Sequence, residues 1–352
     1  LAGSAKGMVG GLLMFIIGTC LLWWNEGRAV KTAKAIGDAA SNVEIVDDVS
    51  KVNASLNGKL IHASAFADTK DTLTDDMFGV RELAIRLDRK VEYYQWVENA
   101  QTREREKIGG GKETTTTYTY EQKWVDKPVN SAEFKDPQYQ SANKVLSEVE
   151  DKSEMASNVT FGAYTLPESF VSAISGGEPA EVRMTEQQTF AWNEQLHALM
   201  PTVDETTSLI HTSANTAYLG ISPNSPQIGD VRITFTKVVP TDISLIAKVN
   251  GSTFEAYKAK NGQKFTRIEM GKVSADEMLE HAKSENNIWT WVLRVLGIML
   301  VVGGLKAMFG LLPMLFKVLP FLGSIVGAGV GLVCWVFGVA WSSTMPVIIE
   351  PN

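Results

Sequence analysis

The sequence predicts an α+β integral membrane protein: an N-terminal transmembrane helix, a large mostly-β extramembrane domain and C-terminal transmembrane helices. Three observations predict it. Apolar residues are pooled at the two ends of a 352-residue chain whose average, 45% hydrophobic and 21% charged, is that of an ordinary globular protein. Each apolar run carries tryptophan at an edge. The middle contains segments that alternate apolar and polar residues with the period of strands.

The first run, Met8–Trp24, holds no charge and stops on Trp23 and Trp24 before the fully polar Asn25, Glu26, Gly27 and Arg28. A cleaved signal peptide would end on small residues instead. A core helix of a soluble domain would carry a polar stripe, and here only Thr19 is polar before Leu22. About 17 residues at a rise of roughly 1.5 Å span most of a hydrocarbon core. Tryptophan prefers the headgroup level, where its ring is buried and its N–H stays wet. The second run, Ile288–Lys306, has Trp289 and Trp291 at its edge and one charge inside, Arg294. The third, Phe321–Trp341, has none. The expected organisation is 1–24 as the first transmembrane helix and 25–287 as an extracytoplasmic or lumenal mostly-β domain. Residues 288–352 then form two transmembrane helices around an interfacial or re-entrant segment at 306–320, broken by Pro313 and Pro320.

Trp23, Trp24, Trp289 and Trp291 are therefore the candidate membrane-interface residues. Gly7, Gly11 and Gly18 on the first run, and Gly323, Gly327 and Gly331 on the third, lie at the four- and seven-residue spacings that let helices approach closely. Packing within the chain is the first reading of these glycines, and packing between protomers the second. For Arg294, snorkelling to the headgroups is the first reading. A buried polar anchor, or part of an ion path, is the second.

In the middle, Gly58–Ala67 and Gly229–Val239 read as strands. A long hairpin is expected from strand-forming sequence up to Glu106, a turn at Ile108–Glu113 and the Thr/Tyr-rich return Thr114–Val125. Residues 31–48 and 140–157 look partly helical. Ser274 and Glu277 have capping-box spacing and open an amphipathic helix that leads into the second apolar run.

The chemistry-bearing residues are sparse. The net charge of −7 argues against a nucleic-acid partner, which needs a clustered basic face. His62, His197, His211 and His281 have no metal-ligand spacing, and catalytic motifs such as H-E-x-x-H, C-x-x-C and G-x-S-x-G are missing from the sequence. Gly109–Thr114 fails the phosphate-loop pattern because Glu106 and Glu113 stand where glycine and Ser/Thr are required. The pairs Asp47-Asp48 and Asp75-Asp76 read as turn or cap residues, since neighbours on a strand point to opposite faces. Cys20 and Cys334 both lie in the apolar segments, so the middle has no disulfide. No catalytic, cofactor or metal residue is assigned.

Five stretches occur in order along nearly the whole chain: Asn25–Ala33 (NEGRAVKTA), Val91–Glu98 (VEYYQWVE), Thr117–Trp124 (TYTYEQKW), Gly229–Phe235 (GDVRITF) and Thr290–Gly297 (TWVLRVLG). Together they resemble the LUMA family of multi-pass membrane proteins of the nuclear envelope and endoplasmic reticulum, which also occurs in bacteria. The resemblance implies a first membrane helix, a large lumenal or extracytoplasmic domain and a cluster of C-terminal helices. It also implies self-association and the support of membrane protein complexes, with no enzymatic activity or cofactor. The family has a fourth membrane helix, so Trp341–Asn352 is expected to be the link to a helix that the sequence does not reach. Residues upstream of Leu1 are expected too. Positive charges near the helix ends, Lys6, Lys306 and Lys317 on one side against Arg28, Lys31, Lys34 and Lys283 on the other, do not decide the orientation.

The expected function is a non-enzymatic membrane-organising scaffold that self-associates. Its partners are the lipid bilayer, other copies of the chain and other membrane proteins. The alternatives are an oligomeric channel or transporter, from Arg294 and the broken Lys306–Pro320 segment, and a lipid-modifying enzyme that would use Glu26, Arg28 and Lys31. A bacterial cytoplasmic membrane is the first expectation for location, from the short segment before the first helix. For a eukaryotic chain it is the endoplasmic reticulum or inner nuclear membrane.

Overall fold

A computed structural model describes residues 2–106, 112–309 and 331–343. Lys317, Gly323, Gly327 and the segment expected to be interfacial beyond Phe309 lie outside the described residues. The main elements are α1 (Ala2–Asn42), β1 (Leu60–Thr69), the long hairpin β2 (Arg86–Glu106) and β3 (Lys112–Val125), and α2 (Glu186–Leu199). Then come β4 (Ile210–Ser213), β5 (Thr216–Leu219), β6 (Val231–Val238), β7 (Thr241–Asn250), β8 (Arg267–Met270) and α3 (Ala275–Phe309). The last helix described is α4, Gly331–Ser343. The chain is thus a mixed α+β protein with apolar helices at both ends and a β-rich middle.

The helix α1 continues unbroken past Trp24 for another 18 residues, and α3 starts 13 residues before Ile288. Each helix therefore has an apolar half and a polar extension that belongs to the β-rich region. Both are long and apolar enough to cross a membrane, and only 17% and 22% of their most apolar windows are buried inside the protein. A helix at the centre of a soluble core would be mostly covered. Trp23, Trp24, Trp289 and Trp291 are all exposed, at 57–62%.

Among the described residues the middle holds two large seven-stranded sheets and two small two-stranded ones. In the first, β7 pairs antiparallel with β1 from Thr241↔Ala67 to Lys248↔Leu60 and with β8 on its other edge. In the second, the order is β4-β5-β6-β2-β3. The alternation read at Val231, Ile233 and Phe235 is realised in β6, where all three are fully buried. β7 reads as an almost continuous apolar run because both of its faces are covered. Ile243, Leu245, Ala247 and Val249 enter one core with Phe161 and Phe254. Ile246 enters another with Leu60, Ile36 of α1, and Met278 and Leu279 of α3. That second core is the joint between the helix extensions and the sheet. A third cluster, around Phe78, Trp192, Ile233 and Phe235, fills the second sheet.

Two expectations change. Residues 140–157 are not helical. They run irregularly to a short strand, Lys152–Met155, that pairs with β2. Asn143 accepts from the Trp96 N–H at 2.8 Å and donates to the carbonyls of Trp96 and Val129. Side-chain amides thereby replace a backbone ladder, and these tertiary bonds outweigh helix propensity. The helix α2 was not expected, although Thr185 and Gln188 form a full capping box at its start. The expected capping box is in place: Ser274 Oγ donates to Glu277 Oε2 at 2.7 Å.

The two long helices cross on glycine. A Cβ built on Gly304 would lie 2.6 Å from the Gly11 carbonyl oxygen and the Phe15 nitrogen, and one on Gly18 would lie 2.9 Å from the Gly297 carbonyl oxygen. Gly11 and Gly18 of α1 are therefore both used within the chain. Gly7 and Gly331 meet nothing within 4 Å. The helix α4 covers the same crossing, with Gly338 against Val302 and the Trp341 Nε1–H donating to Thr19 at 3.2 Å. Gly304→Ala should lower the thermal stability of the detergent-solubilised protein by about 1–3 kcal/mol, the usual cost of overpacking. Gly7→Ala should change little, and equal melting of the two variants would show that the crossing is not close.

Candidate functional site at the membrane boundary

Where α1 and α3 leave the apolar zone, polar side chains replace glycine between them. The replacement keeps the same step. Gly11 faces Gly304, Gly18 faces Gly297, and Asn25 faces Thr290, each pair seven residues further along both antiparallel helices. Seven residues is the repeat at which two helices keep the same faces in contact.

Asn25 is fully buried, and its Nδ2 donates to the Thr290 carbonyl at 2.9 Å. Arg28 spreads its guanidinium over neutral acceptors: Nη1 donates to Asn286 Oδ1 at 3.1 Å, and Nη2 to Asn25 Oδ1 at 3.2 Å and Thr290 Oγ1 at 3.0 Å. Asn286 returns a bond to the Ala29 carbonyl at 3.1 Å. One turn deeper, Glu26 takes Arg294 in a bidentate ion pair, Nε to Oε1 at 2.5 Å and Nη2 to Oε2 at 2.7 Å. The Arg294 guanidinium also lies 5.1 Å from the Trp291 ring centroid. Arg294 therefore reaches across to Glu26 of α1. Gly27 meets nothing within 4 Å.

The chemistry of this cluster is cohesive. Glu26 is 5% exposed, so its charge is stable there only while Arg294 holds it. Asn286 and Thr290 were not singled out from sequence, and neither were Gly297 and Gly304. Their signal is a seven-residue step that becomes visible only when the two helices are read against each other in opposite directions. Glu26→Gln or Arg294→Gln alone should cost about 3–5 kcal/mol, because either change strands a buried charge. The double variant should cost less than either single one. A double-mutant cycle on unfolding in nanodiscs measures this, and additive losses would mean the two charges do not act together.

The remaining expected residues do not assemble into a reactive centre. Each histidine has its own partner, among them Val273 for His62 and Thr207 for His197 through their backbone carbonyls. Among the described residues no group of three His, Cys, Asp or Glu could hold a metal ion. Asp75 pairs with Arg89 at 2.7 Å, and Asp48 accepts the Ser50 N–H in a turn. A small cavity of ≈ 140 Å³ lies in the second sheet between Trp124, His211, Tyr218 and Arg232. Arg232 stacks on Trp124 at 4.4 Å and is tied to Glu92 at 2.8 Å. Beside it, Asp230 is 1% exposed and accepts from the Tyr218 hydroxyl at 2.5 Å and the Gln227 N–H at 2.8 Å.

Burial pushes the Asp230 carboxyl above its ordinary value of 3.8, although those hydrogen bonds oppose the shift. A raised native value means that this group contributes stability fully below 3.8, and that the contribution is lost as pH rises through the native value. Asp230→Asn should therefore gain on the parent protein as pH rises through that window. Urea unfolding of both at several pH values tests it, and a pH-independent difference would refute it.

The comparisons agree with this architecture. A family model described as Transmembrane protein 43 matches residues 93–349. Transmembrane protein 43 of Rattus norvegicus is 29% identical over 355 aligned residues, covering 98% of this chain and 83% of the relative. The Homo sapiens protein is 28% identical with the same coverage. The Drosophila melanogaster homolog is 25% identical, over 89% of this chain and 79% of its own. No solved structure matches. These animal relatives lend no support to the bacterial membrane expected from the sequence. With the apolar helices at both ends of a β-rich middle, the match places the chain in the transmembrane protein 43 family, the LUMA family, of membrane proteins.

Proposed function

We propose that this protein is a multi-pass membrane scaffold, non-enzymatic, whose large domain stands on the extracytoplasmic or lumenal side and associates with copies of itself and with other membrane proteins. The observation that carries the reading is the outer part of the β2–β3 hairpin. From Asn99↔Thr119 to Glu106↔Lys112 the two strands pair only with each other among the described residues. Residues 101–105 and 113–119 are exposed. A lone two-stranded ribbon is marginal in water. Its edges offer unpaired N–H and C=O groups that another strand can take up.

On this reading the ribbon takes the place of packing between protomers, the second reading of the glycines. Gly11 and Gly18 are occupied by α3, so association through these two glycines would require opening the crossing. The ion pair with Glu26 supports an anchoring role for Arg294 over a place on an ion path.

Replacing residues 100–118 by a two-residue Asn-Gly turn should reduce the mass of the nanodisc-embedded protein, measured by light scattering, to that of a single chain. A parent protein that is already a monomer, or an unchanged oligomer in the shortened variant, would overturn the reading.

A further inference from the structure

We propose that the outward face of α3 binds a phospholipid with a primary-amine headgroup, such as phosphatidylethanolamine. The inference rests on the reading of α3 as a membrane-spanning helix. A groove of ≈ 570 Å³ runs along this face, lined by Glu280, Lys283, Ser284, Asn287, Ile288 and Trp291 among others. All six are exposed, and they fall on one stripe, spaced three or four residues apart.

Their order follows the order of groups in a lipid. Trp291 and Ile288 lie at the apolar end, on the stretch that enters the hydrocarbon. Ser284 and Asn287 come next and offer hydrogen bonds at the level of the glycerol esters and phosphate. Lys283 supplies a cation for the phosphate. Glu280, about one helical turn further from the membrane, supplies an anion for the amine that a zwitterionic headgroup carries beyond its phosphate. Neither Glu280 nor Lys283 has a hydrogen-bond or ion-pair partner among the described residues. Arg267, Glu269, His281 and Glu285 of the same stretch are engaged with one another.

The chemistry selects among lipids. A purely anionic headgroup would satisfy Lys283 and be repelled by Glu280. A choline headgroup has no N–H to donate to Glu280, and no aromatic cage surrounds that position, since Trp291 sits at the opposite end of the groove. A primary ammonium donates directly. Charge-assisted hydrogen bonds at a partly exposed site correspond to roughly a 3- to 10-fold preference.

The experiment uses the full chain in nanodiscs of mixed ethanolamine, choline and glycerol phospholipids, with retained lipid counted by native mass spectrometry. The parent should retain the ethanolamine lipid about 3- to 10-fold over the choline lipid. Lys283→Glu should abolish retention, and the exchange Glu280→Lys with Lys283→Glu, which keeps both charges but inverts their order, should abolish the preference. Unchanged melting of these surface variants shows that the fold is intact. Equal retention of all lipids by the parent, or a preference that survives the exchange, overturns the proposal while leaving the membrane span intact. A chain that does not enter nanodiscs at all overturns both.

Discussion

Everything in this protein hangs on the antiparallel crossing of α1 and α3. Lipid tails are as apolar as leucine, so no hydrophobic drive presses two helices together inside a bilayer. Close packing has to come from backbone contact and from polar groups that find partners nowhere else. The crossing uses both in sequence. Glycine opposes glycine through the apolar zone, and at the boundary the same seven-residue step delivers Asn25 to Thr290. One helix alone would leave Glu26 or Arg294 uncompensated. The two charges therefore make the pairing of the helices obligatory as well as close.

The crossing also fixes the β-rich region. Because α1 and α3 remain side by side beyond the boundary, their extensions present one composite surface to the sheet. Ile36, Met278 and Leu279 meet Leu60 and Ile246 there. Polar fastenings surround that core. The Lys260 N–H and the Tyr257 hydroxyl donate to Asp38, and Asn261 donates to the Lys31 carbonyl at 2.7 Å. On the other helix, Arg267 grips Glu285 at 2.7 and 3.0 Å. The Lys260 N–H in particular holds the Asp38 carboxyl below its ordinary value. A strand buried on both faces follows from this arrangement, which is why β7 shows no alternation in its sequence.

What could be read from the sequence was local and periodic. The tryptophan-edged apolar runs, the alternation at Val231–Phe235 and the hairpin with its Thr-rich return each carry their signal within a few residues. The capping box at Ser274 does too. The unread parts depend on pairing between distant segments. Asn286 and Thr290 look like ordinary polar residues of an amphipathic helix until Asn25 and Arg28 are placed opposite them. Arg294 reads as a snorkelling cation because its partner is 268 positions away. The strap around Asn143 reads as partly helical, since side-chain bonds to Trp96 and Val129 leave no periodic trace. The helix α2 carries a local signal of its own in the capping-box spacing of Thr185 and Gln188.

The groups that the fold leaves unsatisfied divide by chemistry. At the crossing, Asn25, Arg28, Asn286 and Thr290 bond to one another and Glu26 pairs with Arg294, so a partner would reach these groups by separating the helices. The outer hairpin has the opposite character. It is a ladder with open edges, and such edges are met by another strand more readily than by a lipid or a small molecule. The groove on α3 differs again, since it offers an anion and a cation in line along the helix axis, which suits the proposed dipolar headgroup and not a strand. Anchoring and the proposed association and lipid contact thus fall on separate surfaces, so a change in one can leave the others standing. That separation suits the scaffold role proposed above: the crossing can hold its geometry while the ribbon takes up or releases a strand.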